Sequence, residues 1–335
     1  MTAGRGTIIG TGSYLPERIL TNRDLEQVVN TSDEWIKTRT GIRSRRIAGA
    51  GEVTSQMASR AAVEALAMAG VTAAQLDMII VGTITAEMVM PSCACLVQKE
   101  IGAENAFAFD VSAACSGFVY ALEIADRYLK NAPEMKILVI GAETLSARVD
   151  WQDRNTCVLF GDGAGACVLT GSTTEEGLLA SQLYSDGRLW QLLSLDARPR
   201  RYCPAVDYGV AAAQNNMPEG AAFSMAGKDV FKHAVREMGD AVVNLLDREG
   251  VSLDDIDLVV PHQANIRILK SLAERLDLSF KKVYTTIQKY GNSSAASLPV
   301  ALDEANREGR LQKGDLLLFS VFGGGFTWGV MLWRW

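Results

Sequence analysis

No stretch of this 335-residue chain reaches the ~18 consecutive apolar residues that cross a bilayer. Its opening residues, MTAGRGTIIGTGSYLPERI, lack the long apolar core of a secretory signal. Membrane insertion is therefore not expected, and a cytoplasmic protein is. Cysteine is scarce: Cys93, Cys95, Cys115, Cys157, Cys167 and Cys203 are all there are, and no two form a CxxC pair. Neither a disulfide framework nor a zinc site is indicated, and a reducing compartment is the simple reading. Lys and Arg number 33 against 39 Asp and Glu, a net charge of −6, which argues against nucleic acid held on a broad basic face. It leaves room for a small basic patch. The glycine-rich segments FGDGAGA (160–166) and FGGGF (322–326) have no Gly-Lys-Ser/Thr and run into β-like sequence. A phosphate loop needs a helix there. A tight turn whose N–H groups meet an oxyanion suits them better. The basic run ARPRRYC (197–203) reads most simply as a solvated loop.

What is present is a chain that contains itself twice. AVEALAMAGVTAAQLDMIIVG (62–82) lies over VVNLLDREGVSLDDIDLVVPH (242–262) at an offset of 180 residues, pairing Gly70 with Gly250 and Asp77 with Asp257. ALEIA (121–125) falls on ALDEA (301–305) at the same offset. Internal repetition of this kind predicts two halves of similar fold, residues 1–175 and 176–335. SQMASRAAVEALAMAG carries helical apolar spacing and stops at a glycine, as helices often do. LDMIIVGTI, KILVIGAET and DLLLFSVFG are continuous β-branched or apolar runs, the mark of strands buried on both faces. Helices alternating with buried strands predict an α/β protein. Residues 185–222 have no clear period and read as a functional loop, a lid or part of a substrate tunnel.

Three side chains stand out. Cys115 follows the strand-like FAFDV and begins the helical run CSGFVYALEIADRYLK. A thiol at a helix start is expected to favour the thiolate, and Ala113, Ala114, Ser116 and Gly117 leave room around it. A small buried core cysteine is the competing reading. His262 follows the buried run DLVV, at the strand end where α/β proteins place their sites. Its partner in the repeat is Gly82, so the shared fold does not require an imidazole there. Asn292 stands in YGNSSAAS before another helix, where a helix cap is an equal alternative, but the segment corresponds to the cysteine turn. The remaining histidine, His233, reads as a half-exposed helix residue. Cys, His and Asn thus leave equivalent ends of two halves. The same trio occurs in papain-like hydrolases, so residue types leave the reaction open.

GTGSYLPE, TSDEWIKTRTGI, DVSAACSGF, FGDGAGA, VPHQAN, YGNSSAAS and FGGGFTWG together resemble the β-ketoacyl-acyl carrier protein synthase III family of the thiolase superfamily, in its order and over nearly the whole chain. The resemblance implies a five-layered αβαβα fold. It implies a cytosolic homodimer that initiates type II fatty acid synthesis from acyl-CoA and malonyl-acyl carrier protein, without metal or redox cofactor. It implies catalytic roles for Cys115, His262 and Asn292 and an oxyanion role for Gly324. It places the coenzyme A arm among Trp35, Arg39, Thr40, Arg154, Phe160, Met225, Ala226, Gly227, Phe231, Ala264, Asn265 and Phe322. Arg267, with Lys270 and Arg275 beside it at helical spacing, matches the carrier-protein contact. Met90 takes the place of a phenylalanine that closes the partner's acyl pocket across the dimer.

Other members of the superfamily fit less well. Elongating synthases use Cys-His-His, for which this chain has no suitable second histidine. Thiolases use a second cysteine that FGGGF does not supply. Hydroxymethylglutaryl-CoA synthases have an acid where this chain has Ile84. A starter ketosynthase of a secondary-metabolite pathway would use the same residues and stays open.

Overall fold

The computed structural model describes residues 4–172, 174–195 and 223–335. Most of the expected lid segment, including ARPRRYC and Cys203, lies outside the described residues. The first strands are β1 (Arg5–Tyr14), β2 (Ile19–Thr21), β3 (Ser44–Arg46), β4 (Met78–Gly82), β5 (Phe107–Val111), β6 (Ile137–Glu143) and β7 (Gly163–Ser172). The remainder are β8 (Gly177–Ser185), β9 (Leu193–Leu195), β10 (Phe223–Met225), β11 (Leu258–Pro261), β12 (Leu316–Gly323) and β13 (Thr327–Arg334). One sheet has the order β1-β7-β6-β4-β5 and a second the order β11-β12-β13-β8. β4 runs parallel to β5 and β6, and β11 parallel to β12; the other pairs in these sheets are antiparallel.

Apolar alternation sets the layers. Met78 and Ile80 of β4 and Ile137 and Val139 of β6 face one core, with Leu317, Phe319 and Val321 of β12 opposite them. Between the two sheets lie the helices Gly117–Asn131 and Ser297–Arg307, which bury Phe118, Leu122, Leu298 and Leu302 there. Ile79, Val81, Leu138 and Ile140 point the other way, onto the helices Thr54–Ala69 and Cys93–Ile101. Leu316 and Leu318 do the same against Gly227–Glu249 and Ile266–Arg275. Helix, sheet, helix, sheet, helix are five layers, and a strand between two helical layers has to be apolar at every position. Each Leu or Phe so removed from water contributes roughly 1.5–3 kcal/mol.

The repeat is visible in detail. Gly70 and Gly250 end equivalent helices at φ of 64° and 65°, left-handed values that glycine adopts without strain. Asp77 accepts the Lys136 N–H at 2.8 Å, and Asp257 accepts the Leu316 N–H at the same distance. Ala114 and Ser294, 180 residues apart, are both left-handed, at φ of 46° and 49°. The halves differ at one edge. β4 carries the whole strand β5 on its outer side, whereas β11 has a single bridge there, Val259 to Val283. Among the described residues no helix is long and apolar enough to cross a membrane.

Candidate active site

β5 ends at Val111, and the chain turns through the 3-10 segment Ala114–Ser116 into the helix Gly117–Asn131. Cys115 sits in that turn. The end of β12 presses against it: a Cβ on Gly323 would stand 2.8 Å from the Cys115 nitrogen and 3.1 Å from the Ser116 nitrogen. Only a residue without a side chain permits that approach. The two turns are stitched together by Thr327, whose hydroxyl donates to the Ala113 carbonyl at 2.9 Å. Its own carbonyl accepts from the Ser116 hydroxyl at 3.1 Å.

His262 leaves the end of β11, its N–H donating to the Ser320 carbonyl at 2.9 Å. The ring is 2% exposed, and burial pulls it down to about 3, so the imidazole is neutral. Its Nδ1 lies 2.6 Å from the Ser297 hydroxyl oxygen, which also accepts the Gln263 N–H at 3.2 Å. When the Ser297 hydroxyl hydrogen is directed at Nδ1, Nδ1 is the acceptor. In that arrangement the imidazole proton is carried on Nε2, away from Ser297.

Asn292 is pinned through its backbone to the segment before β7: its N–H donates to Leu159 at 2.9 Å, and its carbonyl accepts from Gly161 at 3.0 Å. The side-chain oxygen accepts the Ser294 N–H at 2.9 Å. That fixes the amide so that its NH2 is the group left to donate.

The state of Cys115 departs from expectation. The helix proper starts two residues later, and burial pushes the thiol up to about 12. The negative charge of Glu143 adds to this, while the polar Ser294 side chain opposes it. Desolvation outweighs the helix start, so the resting group is a thiol. Glu143 ends β6 and is 0% exposed; burial pushes it up to about 7 against hydrogen bonds from Thr85, Ile84, Ser294 and Thr83.

One cavity of about 1620 Å³ is lined by Cys115, His262, Asn292 and Gly324. It also reaches Trp35, Arg39, Thr40 and Phe160 on one wall and Met225, Gly227 and Phe231 on another, with Ala264, Asn265, Arg267 and Phe322 between. Trp35 is placed by the helix Asp33–Thr40, whose Ser32 cap accepts the Trp35 N–H at 3.1 Å. Arg154 is outside the lining, but its guanidinium stacks 4.7 Å from the Trp35 ring centre. Phe160 stacks on Phe223 at 4.6 Å. Asn265 joins two walls, donating to the Arg39 carbonyl at 3.2 Å and accepting the Arg267 N–H at 2.9 Å. Arg267 lies over Phe231, 5.8 Å from the ring centre.

Five other residues singled out from the sequence do not reach the cavity. Ala226 caps the helix Gly227–Glu249. Lys270 is on the exposed face beyond Arg267, and Arg275 is paired with Asp240 at 2.5 Å. Met90 is 84% exposed, next to Met88 and Val89, which do line the cavity. His233 is a half-buried helix residue beside Arg236 and Glu237. Sequence reasoning missed Glu143, Ser294 and Ser297. The one available signal was a carboxylate inside the apolar run KILVIGAET.

Two family models match, 3-oxoacyl-(acyl-carrier-protein) synthase III over residues 109–187 and its C-terminal region over 246–335. The β-ketoacyl-(acyl-carrier-protein) synthase III of Desulfotalea psychrophila is 54% identical over 98% of this chain and 99% of its own. The crystal structure of 3-oxoacyl-(acyl-carrier-protein) synthase III from Aquifex aeolicus superposes with a TM-score of 0.90 at 48% identity, covering 98% of this chain and 100% of that one. The priming β-ketosynthase of the R1128 polyketide pathway also reaches 0.90, at 33% identity over 100% of this chain and 98% of its own. With the two repeated halves, the five layers and a single cavity holding Cys115, His262 and Asn292, these matches show that the chain belongs to the 3-oxoacyl-(acyl-carrier-protein) synthase III family.

Proposed function

We infer that the chain catalyses the initiating condensation of type II fatty acid synthesis, joining an acyl-CoA primer to malonyl-acyl carrier protein. The observation that carries this is one cavity in which a thiol, a neutral imidazole and a fixed carboxamide meet beside the Gly324 turn. Cys115 attacks the primer thioester and CoA leaves. The N–H groups of Cys115 and Gly324 receive the oxyanion. Malonyl-carrier protein then loses CO2, and its enolate oxygen accepts one hydrogen bond from His262 Nε2 and one from Asn292 Nδ2. The carbanion attacks the acyl-cysteine and forms the β-ketoacyl product. A starter ketosynthase of a specialised pathway is less favoured, because the relatives near 50% identity are named as synthase III and the polyketide enzyme stands at 33%. The test is purified protein with acetyl-CoA and malonyl-carrier protein. Formation of a β-ketoacyl-carrier protein with matching CO2 supports the reading; hydrolysis alone contradicts it.

The stacked Arg154–Trp35 pair is suited to an adenine ring, and the wall from Arg39 to Phe231 to the rest of coenzyme A. Arg267 at the rim, with Lys270 one turn on, offers positive charge to an acidic carrier; Arg275, already held by Asp240, contributes less. Arg267→Glu should raise KM for malonyl-carrier protein about tenfold, with little change for acyl-CoA, and added salt should mask the difference. Equal effects on both substrates, insensitive to salt, would place Arg267 in the CoA tunnel instead.

A cytoplasmic homodimer fits the exposed Met88, Val89, Met90, Phe107 and Tyr128, an apolar set that a second copy would cover. Met90 would then close the partner's acyl pocket. Methionine yields more readily than a phenyl ring, so acetyl-CoA and four-carbon or branched primers should be used at comparable kcat/KM. Each methylene is worth only ~1–3 kcal/mol, so Met90→Phe should narrow the range gradually toward acetyl. Coincident chain-length profiles for the two proteins would remove Met90 from the pocket.

A further inference from the structure

We propose that Ser294 and Glu143 form a proton relay for Cys115, in which the thiol proton passes through the Ser294 hydroxyl to the Glu143 carboxylate as the cysteine is acylated, and returns when the thiolate is released. This rests on the condensing reading above.

Glu143 is a carboxylate in an unusual place. It ends a strand whose every residue is buried, and it accepts from the Thr85 hydroxyl at 2.5 Å, the Thr83 hydroxyl at 3.2 Å and the Ile84 N–H at 3.2 Å, all at Oε2. Oε1 accepts from the Ser294 hydroxyl at 3.1 Å. What acts on it is burial and the hydrogen bonds of these neutral groups. An uncompensated buried carboxylate is costly, and a neutral amide would fill the same cage for a structural purpose alone. Ser294 is the connection to the reacting sulfur. It lines the cavity together with Cys115, and its backbone is held left-handed at φ 49° with its N–H on Asn292. The serine belongs to the turn that repeats the cysteine turn, so the fold itself sets the two side by side.

A proton acceptor is needed because the resting group is a thiol. His262 serves poorly: Nδ1 is engaged by Ser297, and the ring resists protonation down to about 3. Glu143, pushed up to about 7, is ionised at the alkaline side of neutrality and can hold a proton. In acylation the S–H bond breaks, the sulfur–carbonyl bond forms and the carbonyl–sulfur bond to CoA breaks. The thiol proton moves to Ser294 as the serine proton moves to Glu143, and the CoA thiolate takes a proton from water. In condensation the carbon–sulfur bond to Cys115 breaks, and the departing thiolate recovers its proton by the reverse path. One external proton is consumed overall, as loss of CO2 from a carboxylate requires.

Facing the relay are Cys115 and His262 on the cavity side, and Cys93, Asp110 and Glu87 around the start of the helix Cys93–Ile101. Burial pushes Cys93 and Asp110 up, although Asp110 is fixed by the N–H groups of Cys93 and Ala94 at 2.7 and 2.8 Å.

The experiment is single-turnover acylation of Cys115 by acyl-CoA across pH, read by mass. In the wild type the rate should rise with pH through a midpoint near 7 and then level, as Glu143 ionises. Glu143→Gln should lower the plateau on the order of 100-fold and abolish the inflection, and Ser294→Ala should do the same. Thr83→Val keeps the shape of the cage but removes one donor to the carboxylate, so it should move the midpoint to higher pH. That shift is a change no purely structural role would produce, and it remains testable if Glu143→Gln fails to fold. Acylation of Glu143→Gln within about two-fold of wild type with the inflection intact, or an unmoved midpoint in Thr83→Val, would overturn the relay. A wild type that takes no acyl group would instead overturn the condensing reading beneath it.

Discussion

Cys115→Ala should abolish acyl transfer and condensation while leaving the protein folded. The reaction needs a sulfur to carry the acyl group between two substrates, and no other thiol among the described residues lines the cavity. The replacement keeps the Cβ and leaves a gap of roughly methyl size, which costs ~1 kcal/mol. The same variant should still decarboxylate malonyl-carrier protein slowly, because the enolate's donors, His262 and Asn292, are intact. Thermal unfolding, acyl-enzyme mass and CO2 release measured together check all three parts. Condensation at the wild-type rate would remove Cys115 from the mechanism.

His262→Ala and Asn292→Ala should have the complementary effect, with acylation of Cys115 retained and decarboxylation lost. A positioned donor to developing negative charge is worth about 3–4 kcal/mol, or 10²–10³ in rate. Each variant should therefore lose that much, and the double variant less than the product, since both donors serve one oxygen. The pH dependence separates the steps further. A histidine held at about 3 stays a neutral donor at every pH above that, so the decarboxylation step should show no acid limb from His262, unlike the acylation step. The measurement is acyl-Cys115 by mass and CO2 release for each variant. Loss of acylation with decarboxylation intact would reverse the two roles.

The layers were legible because a strand between two helical layers must be apolar throughout, as in residues 78–82, 137–140 and 316–319. The 180-residue repeat added the likeness of the two turns, and so put Asn292 and Cys115 on equivalent turns of the two halves, which line one cavity. The ionisation of Cys115 was not legible. Local sequence places it at a helix start, and only the packing of the Gly323 turn and the buried Glu143 makes desolvation prevail. Glu143 itself was hidden because a single acid in an apolar strand carries no period, and its donors come from Thr83, Thr85 and Ser294, far apart in the chain. Arg275 read as free positive charge because helical spacing cannot reveal Asp240 on another helix.

A two-stage chase tests the covalent mechanism most directly. The wild-type protein is mixed with labelled acetyl-CoA alone, desalted and digested, and a second portion is chased with unlabelled malonyl-carrier protein. The label should reside on the Cys115 peptide alone and then move, without free CoA present, into the β-ketoacyl group on the carrier. Label on another residue, or product formed only while acetyl-CoA is still present, would contradict an acyl-Cys115 intermediate.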